Sequence, residues 1–213
     1  MPELSDLRLG SDVVANDGSK VGTVVSIIVD EEGFSPRSLV VKDETTLAGR
    51  LLSDEKLFTT DEVVIPISAV ESATRDEVRL SMSGPEVRRQ PLYLSYRREP
   101  MTTEDAVAEE GQLLGGGFGL PKAEEVANKP ADQIEIDRGE NVMLGTTGRR
   151  LGRVQDVLFD HGRLIGVVIR PEGFFKRDVV LPMQFIERAD DMALFAQLTE
   201  SDIEQLKPYV DPL

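Results

Sequence analysis

Cysteine and tryptophan are missing from the 213 residues, and histidine occurs once. Without thiols the chain has no disulfide framework, no thiolate nucleophile, no iron–sulfur cluster and no cysteine zinc site. A single histidine, His161, excludes a two-histidine metal site within one chain. Positive charge is scarce too: 24 Lys and Arg stand against 39 Asp and Glu, a net charge of −15. Such a chain repels phosphate beyond the short reach of any local basic cluster, so no direct nucleic-acid partner is expected. No stretch approaches the ~18 apolar residues of a membrane-spanning helix. The opening MPELSDLRLG lacks the basic and apolar regions of a secretory leader, and the expectation is a cytoplasmic protein with no membrane span. What is present, 40% hydrophobic and 30% charged residues, suits a folded chain of one large or two small domains.

The chain repeats itself. Residues 13–30, VVANDGSKVGTVVSIIVD, align with residues 143–160, MLGTTGRRLGRVQDVLFD, at an offset of 130. Gly18 then meets Gly148, Gly22 meets Gly152, Val24 meets Val154 and Asp30 meets Asp160. SLVVK at 38–42 matches GVVIR at 166–170, and VVIPISAVE at 63–71 matches VVLPMQFIE at 179–187. The offset falls from 128 to 116 between these two matches, which places a 12-residue insertion in the first copy. Tyr93 and Tyr209 keep the final offset of 116.

Each copy reads as short strands joined by turns. Asp17-Gly18 predicts a tight hairpin of type I′, with Thr147-Gly148 in the same place in the second copy. Gly22, inside a strand, allows a bulge or sharp bend of the kind small barrels need at corners. Pro66 and Pro182 are paired strand stops, because proline cannot donate to the ladder. Ser83 with Glu86, and Thr199 with Asp202, have the spacing of a capping box, so each copy closes with a short helix. Residues 97–135 carry four basic and nine acidic groups, and with Gly115-Gly116-Gly117-Phe118-Gly119 at their centre they read as a linker.

The pattern carried by Val14, Asp17, Gly18, Val21, Gly22, Val24, Ile27, Val29, Asp30, Val40, Val41, Val64, Ile65 and Pro66 resembles the PRC-barrel family. The second copy carries it through Leu144, Gly148, Leu151, Gly152, Val154, Val157, Phe159, Asp160, Val168, Ile169, Leu181 and Pro182. The resemblance implies small β-barrels that act as binding platforms, with no catalytic constellation common to the family. Members include the cytoplasmic part of the photosynthetic reaction-centre H subunit and the C-terminal half of a ribosome-maturation factor. This chain departs from the first by lacking a membrane helix, and from the second by having another barrel-like copy where an unrelated domain would stand.

Candidate chemistry is thin. His161 falls in the turn Asp160-His161-Gly162-Arg163 and reads as an exposed turn residue rather than a base. Asp30 and Asp160 read as strand-end carboxylates bonded to their own turns. The glycine-rich stretch fits neither phosphate-binding pattern: Lys122 follows Pro121, and Leu120 stands where a dinucleotide motif needs its third glycine. Arg149, Arg150, Arg153 and Arg163 form the densest basic group, in a unit whose ten basic and thirteen acidic residues leave it net −3. Leu51, Leu52 and Phe58 lie in the inserted loop, where they either fold back over the barrel or present a contact patch. Adjacent Phe174 and Phe175 cannot both point inward from a strand, so one is a candidate for partner contact.

The resulting expectation is an all-β protein with minor α content. It has two tandem small barrels at 1–96 and 136–213, each with a short C-terminal helix, joined by the linker 97–135. The expected role is a non-enzymatic adaptor that binds another protein or itself, as in a homodimer. Partner-binding residues would be Leu51, Leu52, Phe58, Phe174, Phe175, Arg149, Arg150 and Arg153, with no catalytic, cofactor or metal residues and no cofactor. One alternative is a ribosome-maturation accessory recognising a basic ribosomal protein. Another is a small ligand or cation between the barrels, attracted by Glu109, Glu110, Glu124 and Glu125.

Overall fold

The computed structural model describes residues 4, 6–42, 62–98, 123–172, 177–190 and 193–210, with backbone alone at 95–98, 123–126, 190 and 200. The first unit contains β1 (Asp12–Val14), β2 (Lys20–Asp30), β3 (Pro36–Lys42), β4 (Glu62–Pro66), β5 (Val70–Ala73), β6 (Glu77–Leu80) and α1 (Gly84–Val87). Then come β7 (Leu94–Arg98), β8 (Ala123–Ala127) and β9 (Gln133–Asp137). The second unit contains β10 (Asn141–Leu144), β11 (Arg150–Asp160), β12 (Arg163–Pro171), β13 (Val179–Pro182), β14 (Ile186–Asp190), β15 (Ala193–Ala196) and α2 (Glu200–Glu204).

The two sheets have the same order, β4-β3-β2-β1-β6-β5 and β13-β12-β11-β10-β15-β14. In each, one pair is parallel, β1 with β6 and β10 with β15. The outermost strands of each order are consecutive in the chain and joined by single 3-10 turns, Ile67–Ala69 and Met183–Phe185. So short a connection brings the sheet's two ends together and rolls it on itself. The turns start at Pro66 and Pro182, which end β4 and β13 as their missing N–H requires.

The long strands bend where the repeat places glycine. A Cβ on Gly22 or Gly152 would run into the backbone carbonyl of Lys42 or Arg170 on the neighbouring strand. The register against β1 and β10 shifts beside both glycines, between Val13 and Val14 and between Val142 and Met143. The first hairpin differs from the type I′ form expected of Asp17-Gly18. Only Gly18 has positive φ (+82°). Ala15 N–H bonds to the Ser19 carbonyl at 2.9 Å across a longer loop. The Asp17 carboxylate instead accepts from Ser19 N–H at 3.0 Å, Ser19 Oγ at 2.5 Å and Gly84 N–H at 3.2 Å, which ties the hairpin to α1. The two-residue geometry with both φ positive occurs at His161 (47°) and Gly162 (74°).

Both capping boxes form. Ser83 N–H donates to Glu86 Oε2 at 2.8 Å and Thr199 N–H to Asp202 Oδ2 at 2.8 Å, and each helix is a single turn or little more. The chain then returns along the fourth strand of its unit in the same way twice. Tyr93 N–H donates to the Glu62 carbonyl at 2.8 Å, and Tyr209 N–H to the Asp178 carbonyl at 2.7 Å.

The segment between the units is more than a connector. β8 pairs antiparallel with β7, and β9 pairs antiparallel with β2 from Ser26 opposite Asp137 to Asp30 opposite Gln133. β9 therefore adds a seventh strand to the first sheet. The glycines at 115–119 lie outside the described residues. Ile134 (6% exposed) and Ile136 (0%) on β9 belong to one hydrophobic core that runs from Leu7 and Ile27 in the first unit to Val157 and Leu194 in the second. A smaller cluster, Ile28, Val40 and Tyr93 with Val25, Val64, Leu94 and Ala127 against it, covers the outer face of the first sheet.

Candidate functional site

The seam between the units is the most elaborated polar region. Ser26 is wholly buried on β2, where a polar group needs a partner, and its Oγ donates to Glu135 Oε1 at 2.6 Å. The Tyr93 hydroxyl donates to the other oxygen of the same carboxylate. Glu135 on β9 is thus held by two hydroxyls of the first unit. At the repeat-equivalent of Ser26 the second unit has Asp156, which accepts from Leu9 N–H at 2.9 Å and from Val157 N–H at 2.8 Å. Arg8 Nε lies 3.4 Å from Asp156 Oδ2. Each unit therefore places a polar side chain at the middle of its long strand to receive a segment that belongs to the other end of the molecule. A further contact joins the tips of the two long hairpins. Leu164 N–H donates to the Phe34 carbonyl at 3.0 Å, and Arg163 Nη2 to the Gly33 carbonyl at 3.3 Å.

Two open depressions flank this seam at equivalent places. One, of 430 Å³, is lined by Arg8, Ser11, Asp12, Arg75, Asp76, Asp156 and Tyr209, so basic and acidic groups are mixed. The other, of 590 Å³, is lined by Glu62, Asp137, Arg138 and Glu140 beside Thr23 and Val24, and is mainly acidic. Desolvation dominates the acids here. It pushes Glu140 up to about 8, with the neighbouring charges of Asp137 and Glu135 adding in the same direction. Desolvation also raises Asp137, and it raises Asp156 despite the Leu9 and Val157 amides and the Arg8 charge. Among the described residues no three His, Asp or Glu side chains gather as a metal site.

The residues singled out in the sequence fall elsewhere. Arg149, Arg150 and Arg153 are together on the β10–β11 hairpin. Arg150 donates to Asn141 Oδ1 at 3.3 Å and pairs with Glu172, and Arg153 stands opposite Asn141. Arg163 is not part of that group, because the length of β11 separates it from them. Leu51, Leu52, Phe58, Phe174 and Phe175 lie outside the described residues, as do Glu109 and Glu110, and Glu124 and Glu125 are described by backbone alone on β8. His161 is exposed and contacts Asp160 through Nδ1 at 2.7 Å. Asp30 does bond its own turn, accepting from Gly33 N–H at 2.6 Å. The seam residues Arg8, Ser26, Tyr93, Glu135 and Asp156 were not singled out. Their one sequence signal is a polar side chain inside an apolar strand at the same repeat position, Ser26 and Asp156.

The family signature of the PRC-barrel domain matches residues 3–81 and 138–201, about two thirds of the chain. The chain belongs to the PRC-barrel family. Its two matched segments coincide with the two rolled sheets, so it is a tandem PRC-barrel protein. No curated protein is significantly similar to it in sequence. Among the described residues no helix is long and apolar enough to cross a membrane.

Proposed function

We propose that this tandem PRC-barrel protein is a non-enzymatic protein-binding adaptor. The observation that carries the reading is the filled interior. Val13, Ile27, Leu39, Ile65 and Leu80 of the first unit, and Val157, Ile169, Leu181 and Leu194 of the second, are all fully or almost fully buried in one continuous core. Binding is therefore a property of outer faces, edges and the seam, which suits a platform for a macromolecule better than a pocket for a small substrate. The charge of −15 favours a basic partner and speeds its encounter.

The test is capture of partners by the immobilised full chain from its native lysate at low and high salt, with the eluate sized by light scattering. The expected result is a basic protein retained at low salt and released as salt rises. Recovery of the chain alone, as a salt-insensitive dimer, would replace the adaptor reading with self-association. Release of a basic ribosomal protein would narrow the adaptor to a ribosome-assembly accessory.

A further inference from the structure

The two units are controls for one another, and at one edge their likeness breaks. In the first unit the C-terminal half of β2 has β3 on one side and β9 on the other. The equivalent half of β11, Asp156–Asp160, has β12 on one side and, among the described residues, no strand on the other. In the register that sets Asp12 of β1 where β10 has Asn141, residues 4–8 take the place of β9, and of these Arg8, with Leu9 after it, meets β11 at the Asp156 carboxylate. Strand alternation turns the amide groups of Val157 and Phe159 toward this edge. The Val157 N–H is bonded to Asp156 Oδ1, and no backbone partner for Phe159 on this side is present among the described residues.

The outer face follows the same asymmetry. In the first unit Ile28 (1% exposed) and Tyr93 (6%) are covered. Their equivalents Leu158 and Tyr209 are half-buried, and nearby Ile165 and Val210 are 50% and 79% exposed. An open strand edge beside uncovered apolar side chains is a template for strand addition.

We propose that the β11 edge receives an extended strand from a basic protein partner, paired antiparallel and centred opposite Leu158. This rests on the protein-binding reading above and names its site. The side chains decide the chemistry of the strand. Burial alternates along β11, with Asp156 half-buried, Val157 buried, Leu158 half-buried, Phe159 buried and Asp160 exposed. Asp156, Leu158 and Asp160 therefore share the outward face. Residues opposite them in a pair stand ~5 Å away, so a register of basic, any, apolar, any, basic complements the edge. Asp156 already faces Arg8, while Asp160 is on the surface with His161, so Asp160 contributes the larger charge selectivity. A second copy is the poorer occupant, because two chains of net charge −15 repel one another where a basic strand is attracted.

The probe is the capped heptapeptide Thr-Lys-Ser-Val-Ser-Lys-Thr added to the full ¹⁵N-labelled chain at low salt. The expected result is binding at roughly millimolar Kd, with the largest amide shift and slowed hydrogen exchange at Phe159. Replacing both lysines of the peptide by glutamate, or Asp160→Lys in the protein, should weaken binding about fivefold or more, and combining the two should restore part of it. Methylating the backbone nitrogens of both peptide serines should abolish binding, since those amides would complete the ladder. Equal binding of the methylated peptide, or shifts spread over the acidic surface with no maximum at Phe159, overturns strand addition. A dimer of the chain alone with a protected Phe159 amide overturns the choice of partner. If the peptide fails while salt-dependent capture of a basic protein persists, the edge assignment falls and the adaptor reading stands.

Discussion

Glu140 lies where the chain turns from β9 into β10, its Oε2 accepting the Asp137 N–H at 3.1 Å. Asp137, Glu135, Lys129, Arg138 and Glu62 are the charged groups around it, and desolvation outweighs the attraction of Lys129. With its pKa near 8, the folded chain keeps a proton that the unfolded chain releases near 4.5. The contribution is complete below about pH 4.5 and is lost as pH rises through about 8, so stability falls with pH across that window. Asp137, also raised, acts in the same direction. Glu140→Gln keeps the accepting oxygen and removes the titration. The urea midpoint of this variant should fall less between pH 5 and 8 than that of the wild type. Parallel curves would assign the pH dependence to other groups.

Among the elements, β9 is the one whose place was least legible. QIEID alternates as a strand should, yet it sits in an acidic stretch beside glycines, and its partner β2 is about a hundred residues away in sequence. Propensity is local, whereas the pairing that makes β9 part of the first sheet is not. The elements that were legible have local causes. Pro66 and Pro182 end their strands, Gly22 and Gly152 permit close backbone approach, and the hydroxyl and carboxylate of each capping box are three residues apart. The Asp17 turn departs from the type I′ form because Ser19 and Gly84 hold its carboxylate, and Gly84 is remote in sequence. β9 is fastened by Ile136 in the shared core, so Ile136→Ala should cost about 2–5 kcal/mol in urea unfolding. A loss under ~1 kcal/mol would mean that β9 lies on the surface of the first sheet without joining its core.

At the scale of the molecule, the two barrels are joined by a strand exchanged into the first sheet, an ion pair onto β11 and one apolar core. Domains that share a core open together. Calorimetry should therefore show a single unfolding transition for the full chain, and two resolved transitions would contradict the continuous core. The sequence by itself determined that there are two copies, that each is a rolled β unit closing in a capped turn of helix, and where the strands stop. Those properties follow from short-range chemistry: proline without an N–H, glycine without a Cβ, and a cap reaching three residues. Only the tertiary structure decided that β9 completes the first sheet, that Ser26 and Asp156 receive segments from the far end of the chain, and that the β11 edge has no strand beside it among the described residues. Such pairings depend on which backbone edges meet once both barrels are packed, and no local pattern encodes that meeting.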